Sequence, residues 1–155
     1  ALNHTAGLSL PQQIQMGLFS LFALLDTTNS YKTLCQLIVR RRYKALWEGL
    51  GLTPPPEADR AFYYTELDVM VWAEKVYGPD FVKFLRKNYE CTDILFRLAE
   101  ISGVILMHGG GFGGPEWSVR VSLANLPEDT YPKIGQFLRD AAEGYVKEWE
   151  ASKKK

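Results

Sequence analysis

His108–Asn125 reads HGGGFGGPEWSVRVSLAN, a loop made mostly of glycine that runs straight into a segment with the period of a β-strand. Val119, Val121 and Leu123 alternate with Ser118, Arg120 and Ser122, so one face of the segment is apolar and the other polar. The polar face leaves Arg120 beside two hydroxyls, downstream of a loop whose missing side chains leave room for something to approach. An arginine fixed on a strand can donate two parallel hydrogen bonds from its planar fork, which suits a carboxylate or a phosphate. The competing reading is an arginine that is solvated or paired with a neighbouring acid, as many in edge strands are.

Working outward, Val104 to Met107 is fully apolar and predicts a short strand in the middle of a layer. Phe62 to Leu67 is rich in aromatic and β-type residues and predicts another. The remaining patterns are helical. Ser9, Leu10, Pro11 and Gln12 form a capping box that opens a helix running to about Leu25. Its Leu18, Phe19, Leu21, Phe22, Leu24 and Leu25 are apolar nearly all round, which implies burial on several sides or a partner subunit. Asp26 to Ser30 stop that helix and can cap the next, from about Tyr31 to Leu50, which Gly49 and Gly51 end before Pro54-Pro55-Pro56.

Asp68 caps a helix over Val69 to Tyr77, which stops at Gly78-Pro79. Asp80 starts another with Phe81, Phe84 and Leu85 inward, and Thr92 begins a third with Ile94, Leu95, Leu98 and Ile101 on one face and Gly103 at its end. Tyr131, Ile134, Leu138, Ala141, Tyr145 and Trp149 fall at intervals of three and four, so the last helix lies on the core along one stripe. This order predicts an α+β fold, a small mixed sheet covered by helices on one side.

At 155 residues the chain is long enough for a real core, and its eighteen basic and eighteen acidic residues balance. A neutral balance gives no clustered positive field of the kind a nucleic acid or an anionic membrane requires. Arg40-Arg41-Arg42 reads as the wet face of a helix and Lys153-Lys154-Lys155 as a frayed tail. The two cysteines, Cys35 and Cys91, each lie within an apolar pattern and read as reduced core thiols of a cytoplasmic protein. The two histidines, His4 and His108, have no spacing that resembles a metal site. Met16 to Leu25 is too short to span a bilayer. The opening residues ALNHTAGLSLPQQ look like the interior of a protein, and a fragment is expected.

The triple glycine at Gly109, Gly110 and Gly111 lacks the lysine and hydroxyl that close a Walker loop, and it opens a strand where a dinucleotide fingerprint opens a helix. Glycines here can also serve a tight β-connection that needs no ligand. His108 has no obvious nucleophile or orienting acid and reads as a bystander, and Ser9 is explained by capping. Glu116 and Trp117 pack or pair locally. Tyr63-Tyr64 and the tryptophans read as core and interface aromatics.

ALNHTAGLSLPQQIQMGLFSLFALLD at the front and GGGFGGPEWSVRVSLANL near the end resemble the C-terminal part of bacterial aspartate 4-decarboxylases, also called aspartate β-decarboxylases. These are pyridoxal-phosphate enzymes of the fold-type I aminotransferase superfamily. The resemblance implies loss of the β-carboxylate of L-aspartate as CO2 to give L-alanine, with a lesser aspartate transaminase activity. It also implies that Arg120 binds the substrate α-carboxylate, that Gly110, Gly111, Phe112, Asn3 and Thr5 line the cleft, and that residues 1–50 form a cleft-edge loop and connecting helices ahead of a small C-terminal α+β substrate-clamping domain over 51–155. The Schiff-base lysine, the acid against the pyridine nitrogen and the phosphate-binding residues are expected upstream of Ala1. This chain alone is therefore expected to hold no pyridoxal phosphate, no catalytic residue and no metal. Its expected partners are L-aspartate, an upstream large domain of the same protein and further copies in a homo-oligomer. A non-catalytic interaction or regulatory module that reuses the domain, and an aminotransferase with another substrate, are the alternatives.

Overall fold

The computed structural model describes residues 7–56 and 61–154. Contacts divide the chain into two compact units, Ala1–Leu37 and Ile38–Lys155.

In the first unit, α1 (Leu10–Leu25) leads through a tight turn into the start of α2 (Ser30–Leu50). The helix start was legible. Gln12 reaches back so that its Oε1 accepts from the Ser9 amide at 2.9 Å, and Pro11 occupies the first turn, where no amide hydrogen is missed. The turn is organised by Asp26, whose carboxylate accepts from the Ser30 and Tyr31 amides at 3.0 Å each and so caps α2. Asn29 takes a positive φ of 52°, which its short polar side chain tolerates. The Phe19 and Phe22 rings meet Tyr31 edge to face across the turn. α1 buries none of its side chains, so of the two alternatives expected for it, burial on several sides or a partner subunit, the first is not met. Cys35 is exposed and Cys91 is half-buried, so neither is the core thiol expected, and both are free.

In the second unit the order is β1 (Tyr64–Asp68), α3 (Val69–Tyr77), α4 (Pro79–Asn88), α5 (Asp93–Ser102), β2 (Met107–His108), β3 (Ser118–Ser122) and α6 (Tyr131–Ser152). The three strands form one sheet in the order β1-β3-β2, and both pairings are antiparallel where a mixed sheet was expected. The fold is α+β, as its sequence implied. Asp68 caps α3 by accepting from the Met70 and Val71 amides at 2.9 and 3.0 Å. Gly103 ends α5 in the left-handed conformation, with φ of 70°.

The core lies between the apolar face of the sheet and the helices. Val119, Val121 and Leu123 of the β3 segment are at most 1% exposed, and they join Tyr43 and Leu46 of α2, Phe81 of α4, Leu98 of α5 and Tyr131 and Ile134 of α6. At ~25 cal/mol per Å2 of apolar surface, burial of this kind is the main stabilising term. Two sequence expectations fail here. Val104–Met107 is not a central strand: only Met107 of it pairs, at the sheet edge, and Ile105 is 85% exposed. Four apolar residues in a row cannot all face one layer, and a strand paired on one side has water on the other. Ile101 is likewise exposed, because α5 ends one residue beyond it and its face passes the edge of the core.

Two further corrections concern α2. Its Gly49 does not end the helix; Gly51 does, with φ of 70°. Gly49 and Gly135 instead mark where α2 and α6 cross with their backbones in contact, since a Cβ on Gly49 would lie 2.1 Å from the Pro132 carbonyl oxygen and one on Gly135 2.2 Å from that of Leu46. Arg42 is not on a wet face: its Nη1 donates to the Leu123 carbonyl at 2.9 Å, tying α2 to the end of β3.

Candidate functional site

β3 is the middle strand, so its outward face is bordered on both sides. Register fixes the neighbours: Arg120 stands opposite Glu66 of β1 and opposite Met107 of β2. Residues opposite one another point to the same face, and so do those two places along. Tyr64, Glu66, Ser118, Arg120 and Ser122 therefore share the face away from the core, and Val119 and Val121 the face toward it.

The Arg120 guanidinium carbon lies 4.0 Å from the centroid of the Tyr64 ring and 4.2 Å from that of Phe112. Both are within cation–π range. Phe112 is carried there by the glycine loop, in which Gly109–Phe112 forms a single 3-10 turn closed by Gly113 at φ of 78°. Contacts to ring faces use none of the five N–H donors of a guanidinium. Among the described residues the Arg120 guanidinium has no hydrogen-bond or ion-pair partner. It is a half-buried cation, backed by aromatic surface, with its fork unengaged.

The remaining loop residues are distributed by size. A Cβ on Gly109 would lie 1.9 Å from the Ser118 Oγ, and one on Gly114 1.8 Å from the Glu66 Oε1. Gly110 packs against the His108 ring, whose Nε2 is hydrogen-bonded to the Glu116 carbonyl and so pins the two ends of the loop together. Gly111 faces open space. The glycines thus leave room chiefly for this chain's own side chains. Trp117 accepts from the Val69 amide through its carbonyl at 2.9 Å, which fixes the loop to the start of α3. Of the residues expected at the site, the structure brings Arg120 and Phe112 together, sets Gly110 and Gly111 in the adjoining loop, and leaves Asn3 and Thr5 outside the described residues.

Tyr64 and Glu66 were not anticipated at the site. Tyr63 and Tyr64 are exposed, not core aromatics, and Tyr64 covers Arg120. The available signal was the period of β1, in which Tyr64 and Glu66 alternate with the buried Thr65. Among the described residues no cluster of histidine, cysteine, aspartate or glutamate could hold a metal ion, and no helix is long and apolar enough to cross a membrane.

No family model matches the chain. Its sequence is 42% identical over 151 residues to the bifunctional aspartate aminotransferase and L-aspartate beta-decarboxylase of Pseudomonas sp. The match takes in 97% of this chain and 28% of that relative, so the chain spans somewhat more than a quarter of the length of the curated protein it matches. The resemblance to the C-terminal part of an aspartate 4-decarboxylase therefore stands.

Proposed function

Proceeding from that likeness, we propose that the chain is the C-terminal, substrate-clamping part of a pyridoxal-phosphate-dependent L-aspartate 4-decarboxylase, in which Arg120 binds the α-carboxylate of L-aspartate. The observation that carries this reading is the state of Arg120: backed by the Tyr64 and Phe112 rings and without an acid partner among the described residues. A guanidinium so held is preorganised for a bidentate, charge-assisted pair with a planar carboxylate. The work of this chain in the reaction is then positional. Arg120 anchors one end of the substrate, the rings reduce water access to the pair, and the β-carboxylate that leaves as CO2 is presented elsewhere.

When bound, pyridoxal phosphate supplies the electron sink for such chemistry. Every lysine among the described residues is exposed, and none lies in the cluster around Arg120. We assign none of this chain's residues to hold the cofactor and expect its site in an upstream large domain. We place the enzyme in the cytoplasm as a homo-oligomer, a state that the wholly unburied α1 favours.

In the full-length enzyme Arg120→Ala should raise the KM for aspartate about ten- to a hundredfold, the equivalent of losing a hydrogen-bonded charge pair. Unchanged steady-state kinetics would sink the assignment. Measured CO2 release separates the decarboxylase from an aminotransferase with the same anchor, for which keto-acid product would form without CO2.

A further inference from the structure

Glu66 stands directly across from Arg120 in the β1–β3 ladder, on the same face and at a spacing where opposite charges on neighbouring strands ordinarily pair. No ion pair joins them. The Glu66 carboxylate is turned instead toward the glycine loop, where the Ser118 hydroxyl donates to its Oε1. Ser118 is only 2% exposed and its Oγ also lies 2.7 Å from the Pro115 carbonyl, so its single hydroxyl proton is shared between that carbonyl and the Glu66 carboxylate.

The carboxylate fits there only because two residues have no side chain. A Cβ on Gly114 would lie 1.8 Å from the Glu66 Oε1 and 2.6 Å from its Cδ, and one on Gly109 would lie 2.5 Å from that Oε1. Neither glycine has a positive φ, unlike Gly113 at 78°, so backbone conformation does not explain them. Space for Glu66 does.

We infer that Gly109, Gly114 and Ser118 form a niche that holds the Glu66 carboxylate away from Arg120, keeping the guanidinium free for an external carboxylate. The inference rests on the reading of Arg120 given above. Glu66 has the same chemistry as the proposed ligand and is tethered opposite its anchor, so without the niche it becomes an intramolecular competitor. Gly114 and Ser118 are thus positioning residues, acting through Glu66.

Gly114→Ala tests this in the full-length enzyme, because the three atoms nearest the added methyl all belong to the Glu66 carboxyl, the far end of a flexible side chain. Released onto Arg120, Glu66 should form an exposed ion pair and raise the KM for aspartate about two- to fivefold with kcat unchanged. Adding Glu66→Gln to that variant removes the competing charge and should return KM to the wild-type value. A Gly114→Ala enzyme with wild-type KM, or a rise that persists in the double variant, overturns the niche. Arg120→Ala run alongside separates the two claims: if it leaves KM unchanged the reading of Arg120 has failed, whereas a raised KM there with an unresponsive Gly114 variant means the niche alone has failed.

Discussion

Arg120 has two aromatic walls and no acid partner among the described residues; register brings Tyr64 alongside, and the glycine loop brings Phe112 and takes up the Glu66 carboxylate. The alternation of Val119, Val121 and Leu123 is enough to place Arg120 on the polar face. Its neighbours are another matter, because Tyr64 and Glu66 lie more than fifty residues away in sequence and only the β1–β3 pairing brings them alongside. A local pattern tells which face a side chain takes and not what faces it. The Tyr64 ring should therefore matter to the anchor although nothing near Arg120 in sequence points to it. Tyr64→Leu keeps a bulky apolar side chain and loses the π face. Its KM for aspartate should rise about two- to fivefold, the worth of an exposed cation–π contact, and kinetics indistinguishable from wild type would show that the ring only fills space.

Among the elements, those with a local stop or start were legible and those defined by distant packing were not. The run 26–30 was read as able to cap a helix, and Asp68 as a cap, because a helix end needs an acceptor for its free amides; Asp26 and Asp68 serve as such. The hydrogen bonds from the Tyr31 and Ser30 amides hold the Asp26 carboxyl below its ordinary value of 3.8. A proton thus binds it less readily in the folded turn than in the unfolded chain. The stability it lends is complete above that ordinary value and is lost as pH falls through the lower folded value. Carboxylate titration by NMR should give Asp26 a value below 3.8, with the Ser30 and Tyr31 amides shifting in step; a value at or above 3.8 contradicts the cap.

The crossing of α2 and α6 was invisible in sequence, since a glycine within a helical pattern reads as a terminator until the opposing backbone is known. Gly135→Ala drives a methyl into the Leu46 carbonyl and the Leu50 amide nitrogen, neither of which can move aside. Chemical denaturation should show a loss of about 1–3 kcal/mol, as overpacking does, and wild-type stability would mean the helices separate freely.

The α5–α6 contact carries a polar clamp in which Arg97 donates to Glu148 at 2.8 Å and Tyr145 donates to Asp93. Burial, then the hydrogen bond to Glu148, pushes the Tyr89 phenol up to about 12. Its contribution is fully present below its ordinary value of 10.0 and is lost as pH rises through about 12. Tyrosinate absorbance from this residue should lag behind that of exposed tyrosines and appear together with the loss of helical circular dichroism.

For the whole molecule, the α+β class followed from the order of patterns, while the antiparallel topology did not, because Val104–Met107 has the composition of a central strand and lies at the edge. The apolar helix α1 was recognised from sequence, and its unburied side chains are what the proposed homo-oligomer rests on. Size-exclusion chromatography of this chain at several concentrations should show association that grows with concentration, and a concentration-independent monomer would count against that surface. The central claim, however, is the carboxylate on Arg120. A crystal structure of the full-length enzyme with an unreactive aspartate analogue tests it most directly. The account predicts both α-carboxylate oxygens at roughly 2.7–2.9 Å from the Arg120 guanidinium nitrogens, with Glu66 still turned to Ser118. An α-carboxylate held by another cation, with Arg120 in solvent or paired to Glu66, would contradict it.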